Sequence, residues 1–419
     1  MRADNVHAAD PRDYVLRGTW VTLHLRTVAV SFRTISDNSS MHTSGIFPTE
    51  IDPPEAWQRV GNGVLLIDIR EEHERALGMA EPAVGIARVA LEAEPARWLS
   101  DPTAAGMLIC ARGSRSRTAC ANLRARGYMR VCSVAGGTEA WAAQGLPMTV
   151  ADGDAGFYQR YARHLSVPEI GVAGQRRLQR SRVLLVGAGG LGSPAGYYLA
   201  AAGVGHITVI DDDRVERSNL QRQILHTDAR IGVAKTASAQ IALSALNPEI
   251  DIVAVPQRLD RDNVDALVGA ADVVVDGADN FATRYLLSDA CVKHGKPLVY
   301  GAVHRFEGQA SVFDAGRQRG VAPCYRCLFP EPPPAQFAPN CAEAGVLGVV
   351  PGVIGLIQAS EAIKLLLAIG ESLSGRLLQF DALTMRFRET RLKPDPDCAV
   401  CAPGRAFPGY IDYQSFCRG

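Results

Sequence analysis

The stretch from Ser181 to Arg222 constrains this chain more than any other. A short apolar run, Val183 to Val186, enters a glycine-rich turn, a helix of small residues follows, and a second strand ends at Asp211. Gly187, Gly189 and Gly192 fit G-x-G-x-x-G. The acidic end of the next strand comes about twenty residues on, where a ribose-binding carboxylate belongs. Such a βαβ unit implies a parallel sheet with helices on both faces and a nucleotide at the turn. By itself the pattern points to a dinucleotide-dependent oxidoreductase. The residues after Asp211 change that reading. They run Asp211-Asp-Asp213-Arg-Val-Glu-Arg-Ser218-Asn219-Leu-Gln-Arg222, with Lys235 thirteen residues further on. Polar side chains and two cations gathered there suit a triphosphate better than a nicotinamide. Another strand, Asp272 to Asp276, leads to Asp279 and Asn280, where a carboxylate would face the nucleotide crevice and could bind magnesium.

At 419 residues the chain exceeds one ordinary core, so two domains are expected. Its 44 basic and 44 acidic residues balance, leaving no basic field for nucleic acid or an anionic membrane. Ten cysteines are too sparse for a disulfide scaffold, which favours thiol or metal chemistry in a reducing compartment, hence the cytoplasm. Residues 1–44 carry acidic residues and no apolar core of the signal-peptide kind, so a poorly ordered extension without assigned function is expected. The longest apolar tract, Ala344 to Ile369, is interrupted by Pro351, Gln358, Glu361 and Lys364. It reads as a buried helix rather than a membrane span.

Residues 45–150 alternate strands and helices, implying a small α/β domain with a parallel sheet. Cys110 ends one strand and opens the loop CARGSRS before a helix. Loop amides, the helix N-terminus and Arg112, Arg115 and Arg117 are expected to stabilise its thiolate, as a sulfur nucleophile requires. Cysteine at a strand end is also often a plain core residue. The surrounding motifs decide between these. LLIDIREEHERALG, the C-x-x-G-x-R loop from Cys110 to Arg115 and the closing VAGGTEAWAAQGLPM resemble the rhodanese family over about a hundred residues. The resemblance implies that Cys110 carries a persulfide taken from a sulfur donor, with Arg115 in support. Asp68 and Arg70 are expected to be a structural ion pair, and Cys120 and Cys132 core residues.

Residues 151–156, ADGDAG, suit an exposed linker. In the following RYARH, Arg160 and Arg163 could be a solvated helix face. Cys324, Cys327, Cys398 and Cys401 form two C-x-x-C pairs seventy residues apart, and four thiolates suit a closed, structural zinc site. A redox C-x-x-C is the alternative. Cys341 lies between the pairs, beyond a proline-rich loop, and could be a spare thiol. Cys291 and Cys417 are expected to be structural or incidental.

RYARH, GAGGLGSP, DDDRVERSNLQRQ, Lys235 in GVAK and GADNFATR together resemble the ubiquitin-activating-type adenylyltransferases of the MoeB/ThiF branch, over nearly all of residues 157–401. The resemblance implies an α/β fold. A Rossmann-like adenylyltransferase domain with a mixed or parallel sheet, residues 157–419, would follow the rhodanese-like domain. It implies ATP, Mg2+ and Zn2+ as cofactors. Gly187, Gly189, Asp213, Ser218 and Asn280 would lie along the nucleotide and Asp211 would hold the ribose. Asn219, Arg222 and Lys235 would grip phosphates and Asp279 would position magnesium. Arg163 would reach across the interface of a homodimer, and Cys341 could bond covalently to the activated partner. The implied reaction is adenylylation of the C-terminal glycine of a ubiquitin-like sulfur carrier ending in Gly-Gly, of which the molybdopterin-synthase small subunit is the first candidate. Sulfur from Cys110 would then make a thiocarboxylate. The alternatives are an NAD(P)-dependent oxidoreductase with a fused rhodanese domain and a scaffold that only binds carriers. Fused relatives usually carry the rhodanese unit at the C-terminus, whereas here it leads.

Overall fold

In the computed structural model, residues 47–99, 101–149, 154–331 and 345–416 are described, and all belong to one structural unit. The expected extension 1–44 lies outside them, as do Cys341 and Cys417. The first half contributes β1 (Glu50–Ile51), β2 (Leu65–Asp68), β3 (Met79–Ala80), β4 (Val84–Gly85), β5 (Gly106–Ile109), β6 (Val131–Val134) and β7 (Met148–Thr149). Five of these form a wholly parallel sheet in the order β1-β6-β5-β2-β4, while β3 and β7 pair antiparallel. Parallel strands covered on both faces read as unbroken apolar runs, which is why LLID, GMLI and VCSV announce themselves. Alternate residues serve opposite faces. Ile67, Leu108 and Leu123 fill one core, and Leu66, Met107, Ile109 and Trp141 the other.

The second half adds β8 (Arg182–Val186), β9 (His206–Ile210), β10 (Asp251–Val255), β11 (Val273–Asp276), β12 (Leu298–His304), β13 (Glu307–Phe313), β14 (Arg376–Asp381) and β15 (Arg386–Arg391). Their order is β10-β9-β8-β11-β12-β13-β14-β15, parallel as far as β12 and antiparallel beyond it. The sheet is therefore mixed, as expected. From β8 the chain first moves outward through β9 and β10 and then returns to the other side at β11. That reversal creates a switch point beyond the carboxyl ends of β8 and β11, where a ligand crevice opens in such sheets.

Helix Val349–Leu367 is long and apolar enough to cross a membrane by length and composition, with half of that window buried in the protein. Its polar interruptions have internal partners. Gln358 donates to the carbonyls of Asp276 (2.7 Å) and Val299 (3.1 Å), and Glu361 accepts from the amide of Leu373 (2.8 Å). Internal partners of this kind mark a core helix, with Gln358 Oε1 alone of these polar atoms buried without a partner among the described residues. The expected linker is shorter than its composition indicated. Helix Ala155–Leu165 already includes Ala155 and Gly156, because Phe157, Tyr161 and Leu165 share a buried face that pulls the first turn into the helix. At its end Ser166 Oγ meets His73 Nε2 at 3.1 Å, joining the two halves.

Asp68 and Arg70 are the ion pair the sequence indicated. The fully buried carboxylate accepts from Arg70 Nε (3.0 Å) and from its terminal nitrogen (2.7 Å), which also donates to the Gly78 carbonyl (2.6 Å). Removing one member leaves a buried charge, so Asp68→Ala should cost about 3–5 kcal/mol. Denaturant unfolding followed by Trp141 fluorescence measures this, and a loss below about 1 kcal/mol would show that the pair is not structural.

Candidate functional site

The crevice at the switch point encloses about 270 Å3. Its geometry starts from two glycine turns in contact. Gly187 has φ +89°, and a Cβ there would stand 2.7 Å from the Gly277 carbonyl oxygen, while one on Gly192 would stand 1.9 Å from the Gly187 carbonyl oxygen. No side chain fits at either position, so the turns after β8 and β11 close directly on each other.

Gly187, Gly189, Asp211, Asp213, Arg222, Lys235, Asp279 and Asn280 all line this crevice. Asp211 closes β9 and accepts from the amides of Ala188 and Asp213, both at 2.8 Å. Burial pushes its carboxyl above the usual range, although Lys235 and the two amides pull the other way. Lys235, buried, places Nζ 2.7 Å from Asp213 Oδ2. Asn280 Oδ1 caps helix Phe281–His294 by accepting from the Thr283 amide (2.9 Å), which fixes the exposed Asp279 beside it.

Two expected residues stand elsewhere. Ser218 and Asn219 belong to a single 3-10 turn, Arg217–Asn219, and do not line the crevice. The Asn219 side chain accepts from the Glu216 amide (3.1 Å), and the Ser218 hydroxyl donates to Glu216 (3.2 Å). Their carbonyls receive Arg222, side chain on Ser218 and amide on Asn219, both at 3.1 Å, so they shape the turn that presents it. Arg163, expected to serve a neighbouring copy, is exposed on its helix and does not line this chain's own crevice. Its motif neighbours are structural, since Tyr161 OH accepts from Asn247 (2.9 Å) and His164 Nδ1 meets Gln175 (2.9 Å).

Sequence reasoning missed Gln223, Arg258, Thr283 and Arg284, which also line the crevice. Gln223 is 4% exposed, and its side-chain oxygen Oε1 is buried with no hydrogen-bond partner among the described residues. It follows Arg222 directly and could have been suspected. Arg258 sits three residues past the end of β10, so a strand-end rule would have found it. Beneath them lies Asp276, buried and pushed up to about 6, with Arg284 Nε at 3.6 Å pulling the other way. The carboxylates of Asp211, Asp212 and Asp213 come within 4.8 Å of one another, an oxygen set of the kind a hard cation prefers.

Cys324, Cys327, Cys398 and Cys401 converge as their spacing indicated. Their sulfurs stand 3.8 Å (324 to 327), 3.6 Å (324 to 398) and 3.4 Å (327 to 401) apart. A disulfide would hold them at about 2 Å. Four sulfurs about 2.3 Å from one tetrahedral zinc stand about 3.8 Å apart, so this donor set fits zinc.

Cys110 is fully covered, with its sulfur accepting from the Gly113 amide (3.1 Å), the Ser116 amide (3.4 Å) and the Ser116 hydroxyl (3.4 Å). Burial pushes the thiol up, but Ser116 and the amides of Arg112 and Gly113 outweigh it, and the net shift is downward. The three arginines expected to help are engaged by carboxylates. Arg115 forms a bidentate pair with Glu74 (2.6 and 2.8 Å), Arg112 meets Glu139 at 2.9 Å, and Arg117 meets Glu50 at 3.6 Å. The stabilisation is therefore by hydrogen bonds more than by net charge. Burial pushes Cys120 to about 12 and Cys132 to about 11, as suits core thiols, and Cys291 is likewise buried and raised.

Together, the crevice and the thiol loop define a nucleotide-binding α/β enzyme joined to a sulfur-handling module. The ThiF family profile matches residues 161–400 and the rhodanese-like domain profile residues 52–144. The chain belongs to the ThiF family and, with its rhodanese-like domain, is an adenylyltransferase and sulfurtransferase by class. The SAMP-activating enzyme E1 of Haloferax volcanii is 53% identical over 60% of this chain and 91% of its own length. The sulfur carrier protein adenylyltransferase of Thermus thermophilus is 49% identical over 62% and 96%. An adenylyltransferase and sulfurtransferase MOCS3 of Drosophila virilis is 48% identical over 62% of this chain, but the match spans only 57% of that protein. Among solved structures, E. coli MccB with selenomethionine MccA superposes with a TM-score of 0.51 at 20% identity, over 68% of this chain and 84% of that one, a likeness of fold alone.

The lowered thiol makes a testable distinction. Alkylation of Cys110 by iodoacetamide should rise with pH through a midpoint below the ordinary thiol value of about 8.5, while Cys120 and Cys132 stay unmodified up to about pH 9. Ser116→Ala should move that midpoint upward. Peptide mass spectrometry reads all three sites, and equal rates at Cys110 and Cys120 would contradict the stabilised thiolate.

Proposed function

We propose that the chain adenylylates the C-terminal glycine of a ubiquitin-like sulfur carrier and then passes sulfur to it from Cys110. One observation carries this reading most strongly. A switch-point crevice lined by Asp211, Arg222 and Lys235 stands on the same chain as a thiol held toward its thiolate by amides. Relatives named as activating a sulfur carrier or SAMP match the crevice half at 49% and 53% identity.

The carrier carboxylate attacks the α-phosphorus of ATP, and pyrophosphate leaves with the electron pair of the broken P–O bond. Alignment and charge compensation carry such a step, which asks little covalent chemistry of the side chains. Asp211 meets the ribose, the glycine turn lets the phosphates approach the backbone, and Arg222 and Lys235 offset charge on the departing pyrophosphate. Asp279 and the aspartates at the end of β9 offer the oxygen ligands for Mg2+, which would neutralise phosphate charge when bound. Zinc on Cys324, Cys327, Cys398 and Cys401 would close its own coordination and tie residues 398–401 to the turn at 324–327. The terminal sulfur of a Cys110 persulfide then attacks the acyl carbon and AMP leaves, giving an acyl disulfide. A thiol opens it by attacking the Cys110 sulfur, which releases the thiocarboxylate and leaves a disulfide on the enzyme. The sequence expects of Cys341 a covalent bond to the activated carrier, which is a separate role from that thiol.

The finer parts of the proposal are a carrier of the molybdopterin-synthase small-subunit type, a homodimer in which Arg163 serves the neighbouring crevice, and a cytoplasmic setting that keeps ten cysteines reduced. Tyr161 and His164 hold the helix while Arg163 stays exposed, which supports a role for Arg163 toward a second copy.

Carrier-dependent exchange of pyrophosphate into ATP tests the first half. Arg222→Ala and Asp279→Ala should each lose roughly 100-fold or more of the exchange while still binding the carrier. Survival of exchange in both would remove the assigned site. Cys110→Ala should keep exchange, and the carrier should lose its sulfur-for-oxygen mass gain when thiosulfate or a persulfide is the donor. An unchanged thiocarboxylate yield would sink the role of Cys110.

A further inference from the structure

The residue that joins the two phosphate-side elements of the crevice is one that no motif assignment uses. His226 is 5% exposed, and its Nε2 lies 2.9 Å from the carbonyl oxygen of Ala188, the second residue of the glycine turn. A carbonyl can only accept, so Nε2 must carry the proton. Its other nitrogen, Nδ1, lies 2.9 Å from Ser238 Oγ. In the neutral ring Nδ1 is then an acceptor and the serine hydroxyl donates to it. Burial lowers the affinity of His226 for a second proton, which favours this neutral form.

The two contacts reach different parts of the site. Ala188 belongs to the turn on which the nucleotide phosphates would rest, and its amide is held from the opposite side by Asp211 Oδ2 (2.8 Å). Ala188 is thus held through both of its flanking peptide units, by a carboxylate on its N–H and by an imidazole on its C=O. Ser238 lies in the first turn of helix Lys235–Leu246, three residues after the lysine that lines the crevice. The Ser238 carbonyl also receives Arg230 at 2.5 Å, so that turn has a fixed position of its own.

We propose that His226 is a positioning residue for nucleotide binding. As a neutral Nε2–H imidazole it holds the Ala188 peptide at a set distance from the Lys235 helix, keeping the turn amides and the Lys235 ammonium in register with the same triphosphate. The inference rests on the nucleotide reading of the crevice. A loose turn would let the amides swing away from the phosphates without touching the reacting carboxylate, so the consequence falls on ATP affinity first.

Glutamine places an amide nitrogen at nearly the same reach as Nε2 and can still donate to Ala188. Asparagine reaches only as far as Nδ1 and cannot. In carrier-dependent pyrophosphate exchange, His226→Asn should raise the KM for ATP about tenfold with kcat changed less than threefold, as expected for one lost buried hydrogen bond. His226→Gln should return the KM to within about threefold of the parent. Ser238→Ala, which leaves the ring in place without its Nδ1 donor, should raise KM two- to threefold. It also serves as the second variant should His226→Asn fail to fold, as judged by thermal melting.

Calorimetric titration of the full-length enzyme with a non-hydrolysable ATP analogue separates the two readings. If the parent protein itself neither binds the analogue nor exchanges pyrophosphate, the nucleotide reading fails. If the parent binds and His226→Asn binds equally well, the positioning role is overturned. A KM unchanged in Ser238→Ala, or a loss in His226→Gln as large as in His226→Asn, would overturn it too.

Discussion

The meeting of two bare backbones beyond β8 and β11 is the constraint on which the rest of the second half depends. A Cβ on Gly192 would sit 1.9 Å from the Gly187 carbonyl oxygen and one on Gly187 would sit 2.7 Å from that of Gly277. These contacts bring the start of helix Gly192–Ala201 directly against the switch point, and amides at a helix start are the groups that receive phosphates. The core helix Val349–Leu367 reinforces the arrangement from below. A Cβ on its Gly355 would meet the Leu191 carbonyl oxygen at 2.5 Å, and its Gln358 donates to the carbonyl of Asp276 at the end of β11. An apolar helix that passes the length test for a membrane span is thereby used as the floor of a nucleotide crevice.

Both reactive regions hold their charges in pairs. Lys235 rests on Asp213, Arg115 on Glu74, and Asp211 on two amides. In the crevice the pairing is unequal, because the Lys235 side chain is 7% exposed while that of Asp213 is 61% exposed. Water already solvates most of the aspartate, so a triphosphate arriving with several charges competes against a weakened partner. On the proposed function, the buried lysine exchanges this solvated aspartate for a phosphate of the nucleotide.

The sequence made some of this legible and hid the rest, for physical reasons. Backbone requirements leave local marks. G-x-G-x-x-G, the paired C-x-x-C motifs and the apolar strands each depend on neighbours within a few residues, and all three appear where expected. Directions of long side chains leave no such mark. Arg112, Arg115 and Arg117 flank Cys110 in the chain, yet each turns outward to a carboxylate from another segment, at 139, 74 and 50. Ser218 and Asn219 are likewise spent on Glu216, one turn away from the cavity they adjoin in sequence. Arg258 follows the end of β10 and was open to a strand-end rule, but which strand ends meet at the crevice depends on strand order, a property of the whole sheet.

The same economy extends to the join between the halves. Helix Glu72–Ala76 offers His73 to Ser166, at the end of the helix that carries Arg163, and the next residue, Glu74, holds Arg115 of the Cys110 loop. Adjacent residues on one short helix therefore face two different reactive neighbourhoods. Because a helix turns by about 100° per residue, neighbours point apart and can serve both at once. The sulfur loop then takes its outer support from the element that also contacts the adenylylating half. On the proposed function, a chain that brings persulfide to a labile acyl-adenylate gains from such an attachment, since tethering raises the local concentration of the donor while a shared helix limits where it can wander.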